Sequence, residues 1–169
     1  VLHDLLKNEE FKKVLVFGRT KHGVEKLSVL LSKRGLKADS IHGNKRHAKR
    51  QESLKKFKDN HLQVLVATDV AARGLDISDV SHVINFDIPA TYDDYVHRIG
   101  RTGRAGHTGH AVSFATADQK FDVRSIERLI KKQLPVQRTT GGTPVCSGNG
   151  YWESSRSYSR NGEGVVGTV

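Results

Sequence analysis

The chain has 169 residues, with 28 Lys and Arg against 18 Asp and Glu for a formal net charge of +10, and 36% of it is hydrophobic. That length holds one domain with a full-sized core, and the basic surplus favours a polyanionic partner such as nucleic acid without requiring one. The single cysteine, Cys146, excludes a disulfide framework and a Cys-rich zinc site, as expected of a cytoplasmic protein, and every apolar run is far shorter than the roughly 20 residues that cross a bilayer.

From Val14 to about Leu134, short β-branched runs alternate with longer amphipathic segments, which is the pattern of a parallel sheet covered by helices. The first strand is expected at Val14 to Phe17. A helix follows it, with Val24, Leu27, Leu30 and Leu31 turned inward and Gly35 after its end. Ala38 to Ile41 is the second strand. The helix from about Arg46 to Lys58 turns Ala48, Leu54 and Phe57 inward and six Lys or Arg outward. Strands are then expected at Gln63 to Thr68 and His82 to Phe86. Pro89 turns the chain into a helix from Thr91, its cap, to Ile99. A strand at His110 to Phe114 and a helix from Asp118, carrying Ile126, Leu129 and Ile130 and ended by Pro135, complete the pattern. Each strand is nearly continuous in apolar character, as strands buried on both faces are.

The composition changes after Gln137. Residues 138–169 hold seven of the sixteen glycines, many Ser and Thr and the single Trp152, and read as a flexible tail. Domain and tail are thus expected at 1–137 and 138–169. The tail's Tyr151, Trp152, Arg156, Tyr158 and Arg160 could stack on bases, but the composition reads more simply as an inert linker. Its net charge is only +1, from three arginines against Glu153 and Glu163, so the basic surplus lies in the domain. The chain opens at Val1 and contains no methionine, and it reads as a piece of a longer protein.

Two clusters carry chemistry. His97-Arg98-Ile99-Gly100-Arg101-Thr102-Gly103-Arg104-Ala105-Gly106 sets three arginines and three glycines at the end of a helix. Guanidinium forks match phosphate oxygens bidentately, and glycines let the chain turn close to a bulky ligand. Arg101 and Arg104, three apart, would point the same way on one helical turn. A generic Arg-x-x-Arg is more simply a solvated basic loop. The second cluster runs from Thr68 through Asp69 and Arg73-Gly74-Leu75-Asp76 to Ile77, at the carboxyl end of a buried strand, where open α/β sheets bind ligands. Alone, it reads more simply as helix caps at Thr68 and Asp69 and a turn residue at Asp76.

Together with Val14-Leu15-Val16-Phe17-Gly18-Arg19-Thr20 and Val83-Ile84-Asn85-Phe86-Asp87, these clusters come in the order and at the separations of motifs IV, V and VI of DEAD-box RNA helicases. Over residues 1 to 135 the chain resembles the second RecA-like domain of that family. The resemblance implies a three-layer α/β sandwich on a mostly parallel sheet. It makes Arg101 and Arg104 arginine fingers on the phosphates of ATP, Asp76 the contact to the ribose beside Gly74, and His97 the residue that couples the ATP site to a first domain. It makes Arg19, Thr20, Gly43, Arg50 and Thr68 contacts to an RNA backbone, without readout of sequence. His47 stands where the family's Gln-x-x-Arg element has glutamine, which weakens the assignment of Arg50.

The sequence has no Gly-x-x-x-x-Gly-Lys-Ser/Thr loop and no Asp-Glu-Ala-Asp box. In the family these belong to an N-terminal RecA-like domain, which supplies the magnesium ligands. The resemblance therefore implies a monomeric RNA-dependent ATPase whose isolated second half is inactive. The competing class is an RNA-binding adaptor that keeps the fold without the motor. Arg101, Arg104 and Asp76 would have no use in it.

Overall fold

The computed structural model describes residues 1–77, 80–103, 109–139 and 164–168. Strands β1 (Val14–Phe17), β2 (Ala38–Ile41), β3 (Val64–Ala67), β4 (His82–Asn85), β5 (His110–Ala115), β6 (Val136–Thr139) and β7 (Gly164–Thr168) form one sheet in the order β2-β3-β1-β4-β5-β7-β6. The first five are parallel, and β7 runs antiparallel to both β5 and β6. The helices are α1 (Leu2–Leu6), α2 (Lys21–Lys33), α3 (His47–Lys58), the single turn α4 (Asp69–Ala72), α5 (Tyr92–Ile99) and α6 (Lys120–Ile130).

β1 and β3 consist only of Val, Leu, Phe and Ala, and every residue in them is buried. Such a run is stable only between two apolar layers. The two-residue period of a strand does the sorting. Val14, Val16, Val64, Val66, Ile84 and Val112 pack with Leu2 and Leu6 of α1 and Val24, Leu27 and Leu31 of α2. Their neighbours Leu15, Phe17, Leu65, Ala67, Val83 and Ala111 pack on the opposite face with Leu54 and Phe57 of α3 and with α4. A smaller cluster joins Tyr95 of α5 to Ile126 of α6. The result is three layers, as expected.

Several details differ from expectation. Leu30 and Leu129 are each 44% exposed, and Ala48 is exposed as well. In α2 the stripe follows Val24, Leu27 and Leu31, which leaves Leu30 about 100° round the helix from Leu31. α3 buries only Ser53, Leu54 and Phe57, so it meets the sheet through its second half. α6 ends at Ile130, followed by Lys131 in the left-handed region at φ 53°, ahead of Pro135. Residues 138, 139 and 164–168, read from sequence as tail, belong to β6 and β7. Short strands rich in glycine and polar residues give no apolar alternation to announce them.

At the amino ends of β4 and β5, Phe11, His82 and His110 stack with ring centroids 3.9 and 5.1 Å apart. Burial first, and the neighbouring His110 second, push the His82 pKa down from 6.5 to about 4. The unfolded chain therefore binds more protons between those values. Stability is fully present above pH 6.5 and is lost as pH falls toward 4, by about 3 kcal/mol in all. Urea unfolding of His82→Phe across that window is expected to show a pH dependence shallower by that amount. An unchanged slope would remove His82 as its source.

Candidate nucleotide and nucleic-acid site

The carboxyl ends of β2, β3 and β1 are neighbours in the sheet, so residues leaving them stand in a row. Gly43 follows β2, Thr68 follows β3, and Arg19 and Thr20 follow β1. At the usual spacing of strands the row spans about 10 Å. Thr20 caps α2, its hydroxyl oxygen accepting from Gly23 N at 3.0 Å. The Arg19 amide donates to Asp87 Oδ2 at 2.8 Å, and its guanidinium reaches Ile88 O at 3.4 Å. Thr68 stands at the start of α4 but makes no capping hydrogen bond, so its hydroxyl is not used there. Gly43 has no positive φ, and a Cβ added to it would meet nothing within 4 Å. Nothing in its own surroundings demands glycine. Arg50, on α3 beside this row, has its Nε buried with no hydrogen-bond partner among the described residues. His47 is exposed on the first turn of α3, 3.5 Å from Gln51 Nε2.

Below the row lies a buried guanidinium that the sequence reading left without a role. Arg98 is 2% exposed. Its Nε and Nη2 donate to the two carboxylate oxygens of Asp69 at 2.6 and 2.7 Å, and its Nη1 donates to Asn85 Oδ1 at 3.1 Å and Asp87 O at 2.7 Å. The Phe17 ring lies 5.0 Å from its Cζ. Asn85 in turn donates to Ser113 Oγ at 2.9 Å. Asp69 is thus no cap; it faces inward as the counter-ion of Arg98. The signal available in sequence was a carboxylate at the end of one buried strand and an arginine inside an amphipathic helix, with nothing to pair them.

An open cleft of about 170 Å³ adjoins this pair, lined by Phe17, Asp69, Arg73, Asp94, His97 and Arg101 among others. His97, exposed on the last turn of α5, and Arg101 therefore face one space. Arg73 closes one side through an ion pair to Asp94 at 2.7 Å. Arg101 Nη1 donates to Leu75 O at 3.3 Å, which ties it to the backbone one residue before Asp76. The Asp76 carboxylate is 79% exposed, with Lys58 Nζ 2.8 Å away. Gly74, at φ 78°, supplies the turn that brings Asp76 there. Lys58 lies 18 residues from Asp76, and no sequence pattern links them.

The helix does not continue as far as Arg101. α5 stops at Ile99, capped by Gly100, and Gly103 at φ 69° turns the chain again. Thr102 Oγ1 donates to Val80 O at 2.6 Å, which fixes this segment to the residues leading into β4. Beyond it, Gly109 passes so close that a Cβ on it would sit 2.2 Å from Gly103 N. Arg104 lies between these two glycines, outside the described residues.

Residues 1–106 match the family described as the helicase conserved C-terminal domain. The chain is also similar to the DEAD-box protein SrmB of E. coli, at 42% identity and a TM-score of 0.74 over 78% of each chain. It belongs to the DEAD-box helicase C-terminal domains. The structure of the C-terminal domain of the DEAD-box protein Dbp5 is likewise similar, at 31% identity and a TM-score of 0.71, over 79% of this chain and 81% of that one. Among curated sequences, the DEAD-box ATP-dependent RNA helicase CshA of Bacillus cereus is 52% identical over 134 residues, or 79% of this chain. The chain spans about a quarter of the length of such relatives. The parallel strands β1 to β5 with their helices are the RecA-like core of this family. The clefts and strand ends described above are therefore features of a DEAD-box domain.

Proposed function

We propose that this domain is one wall of the active site of an ATP-dependent RNA helicase, completed by an N-terminal RecA-like domain of the same protein. The observation that carries the proposal is the cleft in which Arg101 and His97 face one open space, with the exposed Asp76 carboxylate next to the residue that holds Arg101. A triphosphate fits such a wall: a guanidinium for its phosphates and a carboxylate for its ribose hydroxyls. Phosphoryl transfer depends on positioning and on stabilising developing charge, and Arg101 supplies both from this side. Arg104 is the second finger in the same proposal. His97 transmits closure to the other domain, which holds most of the magnesium ligands.

Arg19, Thr20, Gly43, Arg50 and Thr68 grip RNA through phosphates and 2′-hydroxyls, so binding is largely independent of sequence. Closure of the two domains over the strand and reopening after hydrolysis then drive duplex unwinding. The protein works as a monomer in the cytoplasm.

The test joins this chain to the first domain of a CshA relative and follows phosphate release with and without RNA. The chain alone is expected to release none, and the joined chain to release phosphate only when RNA is present. Turnover indifferent to RNA, or none in the joined chain, would sink the proposal.

A further inference from the structure

The turn after β2 is anchored at three of its four residues. His42 is buried, and its Nε2 lies 3.0 Å from Glu25 Oε2 on α2. Asn44 Oδ1 accepts from Lys21 Nζ at 3.2 Å, also on α2. Lys45 Nζ donates to Asp39 Oδ1 at 2.6 Å and to Ser40 O at 2.9 Å, and Lys45 N to His42 O at 3.1 Å. Gly43 and Asn44 are both exposed, and Gly43 presents bare backbone to open space.

Glu25 is the hub of this anchoring. The same carboxylate oxygen accepts from Ser40 Oγ and faces His42 Nε2, so the proton of a neutral His42 ring belongs on Nε2. The Ser40 hydroxyl first, then His42 and Lys45, hold the Glu25 carboxyl below its usual range, against burial. His42 Nδ1 is left buried without a partner among the described residues. An unmade buried hydrogen bond works against stability. Holding the ring here therefore serves its placement. Glu25 sits just over one turn into α2, whose cap is Thr20, and it ties that end of α2 to the turn that leads into α3 and Arg50.

We infer that Glu25, through Ser40 and His42, is a positioning residue for RNA binding: it fixes the outward peptide at Gly43 relative to Arg19 and Thr20, so that one phosphate run meets both. This rests on the RNA-binding reading above. Glu25 does not touch RNA in this account. Its effect has a sign opposite to simple electrostatics, because removing a carboxylate from a basic surface should tighten binding to a polyanion.

The experiment measures affinity of the whole chain for a fluorescent single-stranded oligouridine at a series of low salt concentrations, with thermal midpoints determined in parallel. Glu25→Ala is expected to bind about five-fold more weakly, with a salt slope flatter by about 0.7, the loss of one phosphate contact on a single strand. Glu25→Gln, which keeps an acceptor oxygen, should recover part of the affinity. Glu9→Ala, an exposed carboxylate removed elsewhere, should bind as tightly as the unchanged chain or slightly more so. His42→Leu carries the same expectation as Glu25→Ala and replaces it if the latter melts below the assay temperature. Arg50→Ala separates the two ideas. If it weakens binding while Glu25→Ala and His42→Leu do not, the positioning role is overturned and the RNA surface stands. If the unchanged chain does not bind, or Arg50→Ala and Gly43→Val both bind as it does, the RNA surface fails and the positioning role with it.

Discussion

Arg101→Ala, in a chain that carries both domains, is expected to lower RNA-stimulated ATP turnover by a factor of about 10³ to 10⁵. The reason is placement. Among the described residues the Arg101 side chain makes one hydrogen bond, of 3.3 Å to Leu75 O, so its removal should cost the fold less than about 1 kcal/mol. It lines the cleft together with His97. A group of this kind acts on charge that develops in the transition state, so kcat should fall while the KM for ATP moves far less. Arg101→Lys keeps the charge but loses the planar fork, and should recover only a small part of the rate. Single-turnover hydrolysis with saturating RNA gives the measurement. Turnover within a few-fold of the unchanged protein would rule out Arg101 as a finger.

Arg98→Ala should act on stability instead, by about 3 to 5 kcal/mol in urea unfolding. Arg98 is 2% exposed and serves four acceptor atoms: both oxygens of Asp69, Asn85 Oδ1 and Asp87 O. Truncation leaves a partly buried carboxylate without its counter-ion and empties the space beside Phe17. A double substitution distinguishes the pair from the space. Arg98→Leu combined with Asp69→Ala removes both charges, and should be less destabilised than Arg98→Leu alone. Equal losses would show that packing, and not the orphaned charge, dominates. The pair also lies between the two halves of the proposed site, since Asp69 adjoins Thr68 and Arg98 is three residues before Arg101. An Arg98 variant that still folds should therefore lose turnover as well.

Sequence and structure divide unevenly between these two arginines. Arg101 was legible because it lies in a run of ten residues whose order points to one family, and it lines one cleft with His97. Arg98, in the same run, was not. Burial is a property of what packs above a residue, and Arg98 is covered by pieces from β1, β4 and α4 that lie far from it along the chain. The same holds for Thr68 and Asp69, whose cap-like spacing suggested helix ends. Thr68 does start α4, but its side chain makes no capping bond, and the Asp69 carboxylate is committed to a guanidinium. Leu30, Ala48 and Leu129 were misplaced for a related reason: helical periodicity fixes which residues share a face, while the width of that face in contact depends on how the helix lies on the sheet.

The sequence by itself determined the alternation of strand and helix, the parallel core and the family, because backbone period, β-branched runs and motif order are properties of neighbouring residues. Only the tertiary structure decided the strand order β2-β3-β1-β4-β5, and with it the row of Gly43, Thr68, Arg19 and Thr20. It alone paired Arg98 with Asp69 and Glu25 with His42. Such contacts join residues distant along the chain, and their geometry is set by packing that no local pattern encodes.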